Sequence, residues 1–376
     1  MSRPVLVADA NLARVEELFS PHAELRLLPG RSIRREHLLD AEGLLVRSVT
    51  RVDRELLSGT PVRFVGSATI GADHLDRDHL GRSGIHWATA PGCNARAVVD
   101  YVCSAIAALP DLLERLLGGE RVGIVGGGNV GRRLAQRLRA AGIEVGVVDP
   151  WLQPPQPWPL MGLQDLERCA LVCLHTPLVV AGWHPTHHLF DEERLDRLAP
   201  GTVLLNAGRG AVVDQQALAE RLGADRLTAV LDVWEHEPQV PPQLLDGVAL
   251  GTPHVAGYSD DGKLAGSLAI WAAWCQWREV SPGPAPSLPT APPLELDAGL
   301  EQAELVRAAC LAAYDIRRDD EALRQVVAAG EPGGFDRLRR DYPSRREYGT
   351  RALPAGLTSA QRGLLEAWGL GVDNDR

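Results

Sequence analysis

The sequence predicts an α/β protein built on a doubly wound parallel sheet, and three observations carry that prediction. Short apolar runs alternate with helix-spaced segments between residues 121 and 250. The first of them leads straight into a glycine-rich turn, "VGIVGGGNVGRRLAQ", and later ones end in titratable side chains. Parallel neighbours need a crossover connection, usually a helix, so strand-sized runs separated by helical segments specify this architecture.

Bulk properties narrow the field. At 376 residues and 45% hydrophobic content the chain exceeds what one core supports, since single cores seldom grow past about 250 residues. A formal charge of −10 and a pI near 5.6 argue against nucleic acid or an acidic membrane surface as partner, because both demand a broad basic field. An anionic small molecule then needs a local cluster of arginines or backbone N–H groups. The six cysteines, at 93, 103, 169, 173, 275 and 310, form no C-x-x-C pair and no zinc spacing, so they read as reduced core thiols. No charged leader precedes an apolar segment and no apolar run reaches 18 residues, which predicts a cytoplasmic protein without a membrane span.

In chain order, residues 4–90 alternate "PVLVAD", "ARVEELF", "GLLVRS" and "VRFVGSAT", a small α/β unit. Asn94 to Leu117 reads as helix, ended or kinked at Pro110. The strand series follows: "RVGIV" (121–125), "EVGVV" (144–148), "ALVCL" (170–174), "TVLLN" (202–206), "LTAVLD" (227–232) and "VAL" (248–250). Segments such as "RRLAQRLRAAG" and "DQQALAERLG" supply the helices between them. A further helix over Lys263–Glu279 sets Trp271, Trp274 and Trp277 at i, i+3, i+6, the pattern of a packing face. "SPGPAPSLPTAPPLE" (281–295) reads as a semi-rigid extended linker, and the arginine-rich remainder as a third, smaller domain.

The glycines Gly126, Gly128 and Gly131 stand in G-x-G-x-x-G spacing between a strand and a helix. That arrangement makes a tight turn, lets backbone approach a pyrophosphate, and packs helix on strand, with the helix start at Asn129 and Val130 offering N–H groups to phosphate. The next strand ends in Asp149, 18 residues after Gly131, near the spacing of an acid that binds adenosine ribose hydroxyls. A carboxylate there repels a 2′-phosphate, so NAD is expected rather than NADP.

Three later strand ends carry Arg209 in "LLNAGRGAVVD", Asp232 and Glu237 in "LDVWEHEP", and His254 in "GTPHVAGYS". Ligands in doubly wound sheets bind beyond the carboxyl ends of the strands, so these groups can converge. Hydride removal from an alcohol needs a base for the hydroxyl proton, which suits histidine; a carboxylate fixes its tautomer, and an arginine clamps a substrate carboxylate. Each residue alone also has a plain structural reading, as a loop hydrogen bond, a surface ion pair or a solvated carboxylate.

Together these residues resemble the D-2-hydroxyacid dehydrogenase family, in which a loop arginine, a glutamate before proline and a histidine in a T-P-H turn form the catalytic set. The resemblance puts that set on Arg209, Glu237 and His254, makes Asp232 a cofactor-side carboxylate, and leaves Glu235 and His236 in a solvated turn. "LLVRSVT", "GSATIGADHLD", "APGCNA" and "HTPL" extend it, and the tail "YDIRRDD…FDRLRRDYPSRREY" resembles a branch of the family that carries a C-terminal extension. By position, Ser48, Thr69 and Tyr258 are implied to contact substrate, and Thr176 and Gly257 the cofactor. The implied architecture is a Rossmann-type domain (95–258), a discontinuous flavodoxin-like substrate domain (1–94 with 259–280), the linker, and a small α+β domain (296–376) through which the chain forms a homodimer. The implied activity is NAD-dependent oxidation of a phosphorylated 2-hydroxy acid.

Some readings stay open at this level. Arg317, Arg318, Arg337, Arg339, Arg340, Arg345 and Arg346 either bind a substrate phosphate or make interface and surface ion pairs. A sister dehydrogenase acting on another 2-hydroxy acid, and an NAD-sensing corepressor on the same scaffold, are the rival functions. His184, His187 and His188 in "WHPTHHL" lack a carboxylate or thiol at ligand spacing, so no metal is expected. Residues after Tyr348 follow no recognisable pattern.

Overall fold

In a computed structural model, which describes residues 3–223 and 226–371, the chain divides into two compact units. One takes the chain up to Asn94 and then Ser259–Pro289; the other takes Ala95–Tyr258 and the chain from Thr290 onward.

The first unit holds an all-parallel sheet of β1 (Val5–Asp9), β2 (Glu24–Leu28), β3 (Gly43–Val46), β4 (Phe64–Ser67) and β5 (His86–Ala88) in the order β2-β1-β3-β4-β5. That is the flavodoxin-like order. The two edge strands, β2 and β5, were not anticipated. "ELRLL" is half-buried along its length, with Arg26 paired to Asp40 at 2.5 Å, and β5 is three residues long, so neither has the buried apolar run that marks β1, β3 and β4. The helix Asp260–Arg278, capped by Ser259 Oγ accepting from Gly262 N at 2.8 Å, returns to this unit. Trp271 and Trp274 are buried, Trp274 meets Phe19 edge-on at 5.7 Å, and Trp277 lies 5.4 Å from Phe64. The tryptophan row is thus the packing face its spacing predicted.

The second unit holds β6 (Val122–Val125), β7 (Val145–Val148), β8 (Leu171–Leu174), β9 (Thr202–Asn206), β10 (Leu227–Leu231) and β11 (Leu250–Gly251). All pair in parallel, in the order β11-β10-β9-β8-β6-β7. A single parallel bridge from Val147 to Leu160 extends the β7 edge, giving the 3-2-1-4-5-6 order of a Rossmann sheet with its third strand reduced to one residue and β11 added beyond the sixth. The strand order reverses between β6 and β8, which creates a crevice at their carboxyl ends. The helix predicted from Asn94 appears as Ala95–Ala108 and Leu112–Leu117, broken after Pro110 by Asp111 at φ 57°.

The C-terminal segment, expected as α+β, holds helices and no strand among the described residues: Gln302–Ala313, Ile316–Ala328, Gly334–Arg340 and Ser359–Ala367. Leu305, Val306, Ala309 and Cys310 recur at helical spacing and enter the same buried cluster as Tyr101, Val102 and Ile106 of the helix Ala95–Ala108. At about 1.5–3 kcal/mol for each large apolar side chain buried, this shared core ties the segment to the nucleotide-fold unit. The proline-rich stretch has no helix or strand over 281–295, yet it docks: Ala291 and Leu294 are buried, and Leu294 N donates to Ala352 O at 3.0 Å. The stretch after Tyr348 is ordered too, with Thr358 and Gln361 forming a capping box and Leu365 and Trp368 fully buried. Residues 372–376 lie outside the described residues. All six cysteines are thiols and five of them are buried. Among the described residues no helix is long and apolar enough to cross a membrane.

Candidate active site

The glycine turn after β6 is shaped by close approaches. Gly126 adopts φ 97°, and a Cβ there would lie 2.9 Å from His175 O; a Cβ on Gly131 would lie 1.9 Å from Gly126 O. No larger residue fits either position. Gly128, by contrast, faces open space and starts the helix Asn129–Ala140 with no side chain capping it. The helix N–H groups and their positive dipole end are therefore available to an anion. Asp149, at the end of β7, accepts from Gly127 N at 2.8 Å and Trp151 N at 2.9 Å, fixing a half-buried carboxylate beside the turn. Thr176 Oγ1 is buried without a hydrogen-bond partner, as are both ring nitrogens of His175. Burial lowers the His175 pKa to about 4, so the ring is neutral. An open cradle, a placed carboxylate and an orphaned hydroxyl on one crevice fit a dinucleotide.

Beyond β10 and β11 the chain builds a second, denser arrangement. Asp232 is 1% exposed and accepts from Thr252 Oγ1 at 2.7 Å, Val255 N at 2.8 Å and Ala256 N at 3.0 Å. Burial raises its pKa, offset in part by His254 and these three donors. Its oxygens are thus turned to the chain's own donors, and Asp232 anchors the 252–256 turn rather than presenting an open carboxylate. Tyr101 OH hydrogen-bonds Thr252 Oγ1 at 2.8 Å, extending this network to the helix Ala95–Ala108.

The anchored turn holds His254 at φ 57°, its N–H donating to Asp232 O at 2.7 Å. The His254 Nδ1 lies 2.8 Å from Glu237 Oε2, while Glu237 Oε1 accepts from Trp234 N at 2.9 Å. Burial pushes the Glu237 carboxyl up, but the hydrogen bond and charge of His254, the Trp234 N–H and the charge of Arg339 outweigh it and hold the pKa low. Because a carboxylate only accepts, Nδ1 carries the proton and Nε2 presents its lone pair. Arg209 sits on the loop after β9, where Asn206 accepts from Gly208 N at 3.0 Å and donates to Arg209 O at 2.9 Å. A Cβ on Gly210 would lie 2.1 Å from the Trp234 carbonyl carbon, so this loop presses directly on the segment that carries Glu237. Glu237 and His254 are thus brought together, and the loop that carries Arg209 packs against the segment that carries Glu237.

Ser48 is exposed at the end of β3, and Thr69, past β4, bonds Ser67 Oγ at 2.8 Å and Gly71 O at 3.0 Å; both belong to the first unit. Gly257 and Tyr258 continue the His254 turn, half-buried. Glu235 corrects its expected reading as a solvated group: its Oε1 lies 2.6 Å from His188 Nε2, and Asp214 Oδ2 lies 3.8 Å from the other ring nitrogen. The carboxylate that spacing did not supply to "WHPTHHL" thus arrives through the fold, and ligand atoms of His187, His188 and Glu235 lie within 4.8 Å of one another. His236 is exposed.

The tail's arginines also separate. Arg345 is buried, with its guanidinium carbon 3.6 Å from the centre of the Tyr314 ring, and it donates to Ala97 O at 2.6 Å and Ala256 O at 3.2 Å. It braces the His254 turn through the Ala256 carbonyl, and its Nε is buried without a hydrogen-bond partner. Sequence reading missed this role, along with those of Tyr101 and Gln215; Gln215 Nε2 donates to Val233 O at 3.1 Å and its Oε1 accepts from Glu235 N at 3.1 Å.

A family profile described as D-isomer specific 2-hydroxyacid dehydrogenase, NAD binding domain, matches residues 105–256, and one described as a domain of unknown function (DUF3410) matches 287–369. The chain is 48% identical over 354 residues to erythronate-4-phosphate dehydrogenase of Stutzerimonas stutzeri (strain A1501), covering 91% of this chain and 92% of that protein. It is 47% identical to erythronate-4-phosphate dehydrogenase of Azotobacter vinelandii (strain DJ / ATCC BAA-1303), covering 97% and 98%. Among solved structures, a Thermus thermophilus protein superposes with TM-score 0.65 at 26% identity, covering 74% of this chain and 98% of that one. NAD-bound 3-phosphoglycerate dehydrogenase of Entamoeba histolytica gives TM-score 0.63 at 20% identity over 74% and 96%, a likeness of fold. With an NAD-binding crevice and an acid–histidine pair at the strand ends, the chain belongs to the D-isomer-specific 2-hydroxyacid dehydrogenases, within their erythronate-4-phosphate dehydrogenase branch.

Proposed function

We propose that the chain oxidises 4-phospho-D-erythronate at its C2 hydroxyl to (R)-3-hydroxy-2-oxo-4-phosphonooxybutanoate, a step of pyridoxal 5′-phosphate biosynthesis. The observation that carries the reading is the 2.8 Å contact between His254 Nδ1 and Glu237, which leaves Nε2 as the base. The names of the relatives supply the substrate.

The turn at Gly126–Gly131, Asp149 and Thr176 would hold NAD, which supplies the hydride acceptor when bound. His254 Nε2 takes the C2 hydroxyl proton. Glu237 keeps the ring in the productive tautomer and stabilises the imidazolium that forms. Arg209 binds the substrate carboxylate and polarises the C2–O bond, with Ser48, Thr69 and Tyr258 as further substrate contacts. Asp232 serves the nicotinamide side through the turn it anchors, beside Gly257. A cytoplasmic homodimer joined through the C-terminal segment completes the reading.

The test is a panel of 2-hydroxy acids with NAD, following NADH absorbance with and without a 2-oxo acid acceptor. Preference for 4-phospho-D-erythronate supports the proposal. Preference for 3-phospho-D-glycerate keeps the catalytic set and discards the substrate, while silence with proven NADH binding favours the corepressor.

A further inference from the structure

The tail arginines divide by what they touch. Arg317 pairs with Asp315 at 2.7 Å, Arg337 with Glu331 at 2.6 Å, Arg340 with Asp341 at 2.9 Å, and Arg345 is enclosed by carbonyls and Tyr314. Arg339 has none of this. It is half-buried on Gly334–Arg340, its Nε is buried without a hydrogen-bond partner, and no carboxylate among the described residues pairs with it. Its guanidinium carbon lies 5.7 Å from the centre of the Tyr258 ring and 5.8 Å from that of Phe335. These ring faces hold the cation in place without neutralising it.

The position matters as much as the isolation. Tyr258 is four residues past His254, and the Arg339 charge is felt at Glu237. Glu237 accepts from His254 and from Trp234 N, and no ion pair joins it to Arg339. A guanidinium Nε withdrawn from water without a partner is costly unless an acceptor completes it. In a protein of net charge −10, an unneutralised cation beside the reacting groups is a local exception to the overall field. Arg209, on the catalytic loop, answers to one carboxylate, which leaves Arg339 for a second anionic group.

We infer that Arg339, stacked on Tyr258, binds the second anion of the substrate, a phosphate monoester distal to the carboxylate. The inference rests on the reaction proposed above. Its charge-assisted, planar donor set suits a phosphate dianion. Arg339 thereby makes the C-terminal segment part of the substrate site and sets the preference for phosphorylated over plain hydroxy acids.

The test compares wild type, R339M and R339K with 4-phospho-D-erythronate and with unphosphorylated D-erythronate. The expected result is a rise of about 30-fold in KM for the phosphorylated substrate in R339M, partial recovery in R339K, and a loss of kcat/KM for D-erythronate about tenfold or more smaller than that for the phosphorylated substrate. Equal losses on both substrates, or no loss on either, overturn the inference. Inorganic phosphate titrated into NADH-loaded protein reads the site independently of turnover. Binding that R339M weakens about tenfold or more supports it; equal binding to wild type and variant overturns it. Wild-type protein inactive on 4-phospho-D-erythronate overturns the proposed reaction, and the phosphate titration then decides the site alone.

Discussion

Glu237 Oε2 stands 2.8 Å from His254 Nδ1, and the two residues reach each other from different strand ends, after β10 and after β11. Neither placement is local. Glu237 is fixed by the Trp234 N–H and by the press of Gly210 on that segment, and His254 by the turn that Asp232 anchors.

The pair predicts that E237Q, which keeps the shape and removes the charge, lowers kcat by about 100-fold while NADH affinity changes by less than about threefold. Stopped-flow turnover with fluorescence titration of NADH checks it. A large loss of NADH affinity instead would place Glu237 on the cofactor.

Asp149 predicts a different signature. D149A should weaken NADH binding by about 1 kcal/mol and narrow the preference for NADH over NADPH, because both a hydroxyl acceptor and the repulsion of a 2′-phosphate disappear. The ratio of the two dissociation constants is the measurement. An unchanged ratio would return Asp149 to a purely structural cap of the glycine turn.

Arg345 predicts loss of stability first and activity second. R345M leaves the carbonyls of Ala97 and Ala256 without their donor, so unfolding free energy should fall by about 3 kcal/mol. In urea unfolding, a change within about 0.5 kcal/mol would mean that water satisfies those carbonyls.

His175 makes stability depend on pH. Its folded pKa of about 4 lies below the ordinary 6.5, so between those values the unfolded chain binds a proton that the folded chain does not. Stability is therefore full above pH 6.5 and declines as pH falls toward 4, by about 3 kcal/mol. Unfolding of nucleotide-free protein at several pH values, against H175Q with a flatter profile, checks the sign. A wild-type profile as flat as that of H175Q would contradict it.

Much of this was legible because the relevant signals are local. The runs from "RVGIV" to "LTAVLD" are continuous apolar strands, fully or almost fully buried, and the glycine spacing is read within six consecutive residues. The edge strands β2 and β5 were missed because a partly exposed edge needs no apolar run. His188 with Glu235, Tyr101 with Thr252, and Arg345 with Ala97 join residues 47, 151 and 248 positions apart, which no spacing argument detects. The arginine-rich tail shows the limit most plainly. Its cations look equivalent in sequence, and only their partners separate surface pairs from Arg345 and Arg339.

The most direct test of the central claim sets wild type beside H254A, measuring NADH formation from 4-phospho-D-erythronate and NADH affinity on the same preparations. Wild type should turn over this substrate and H254A should lose about 1,000-fold in kcat, with NADH affinity within about threefold of wild type. Turnover by H254A close to that of wild type would contradict the assignment of His254 as the base and, with it, the account of the site.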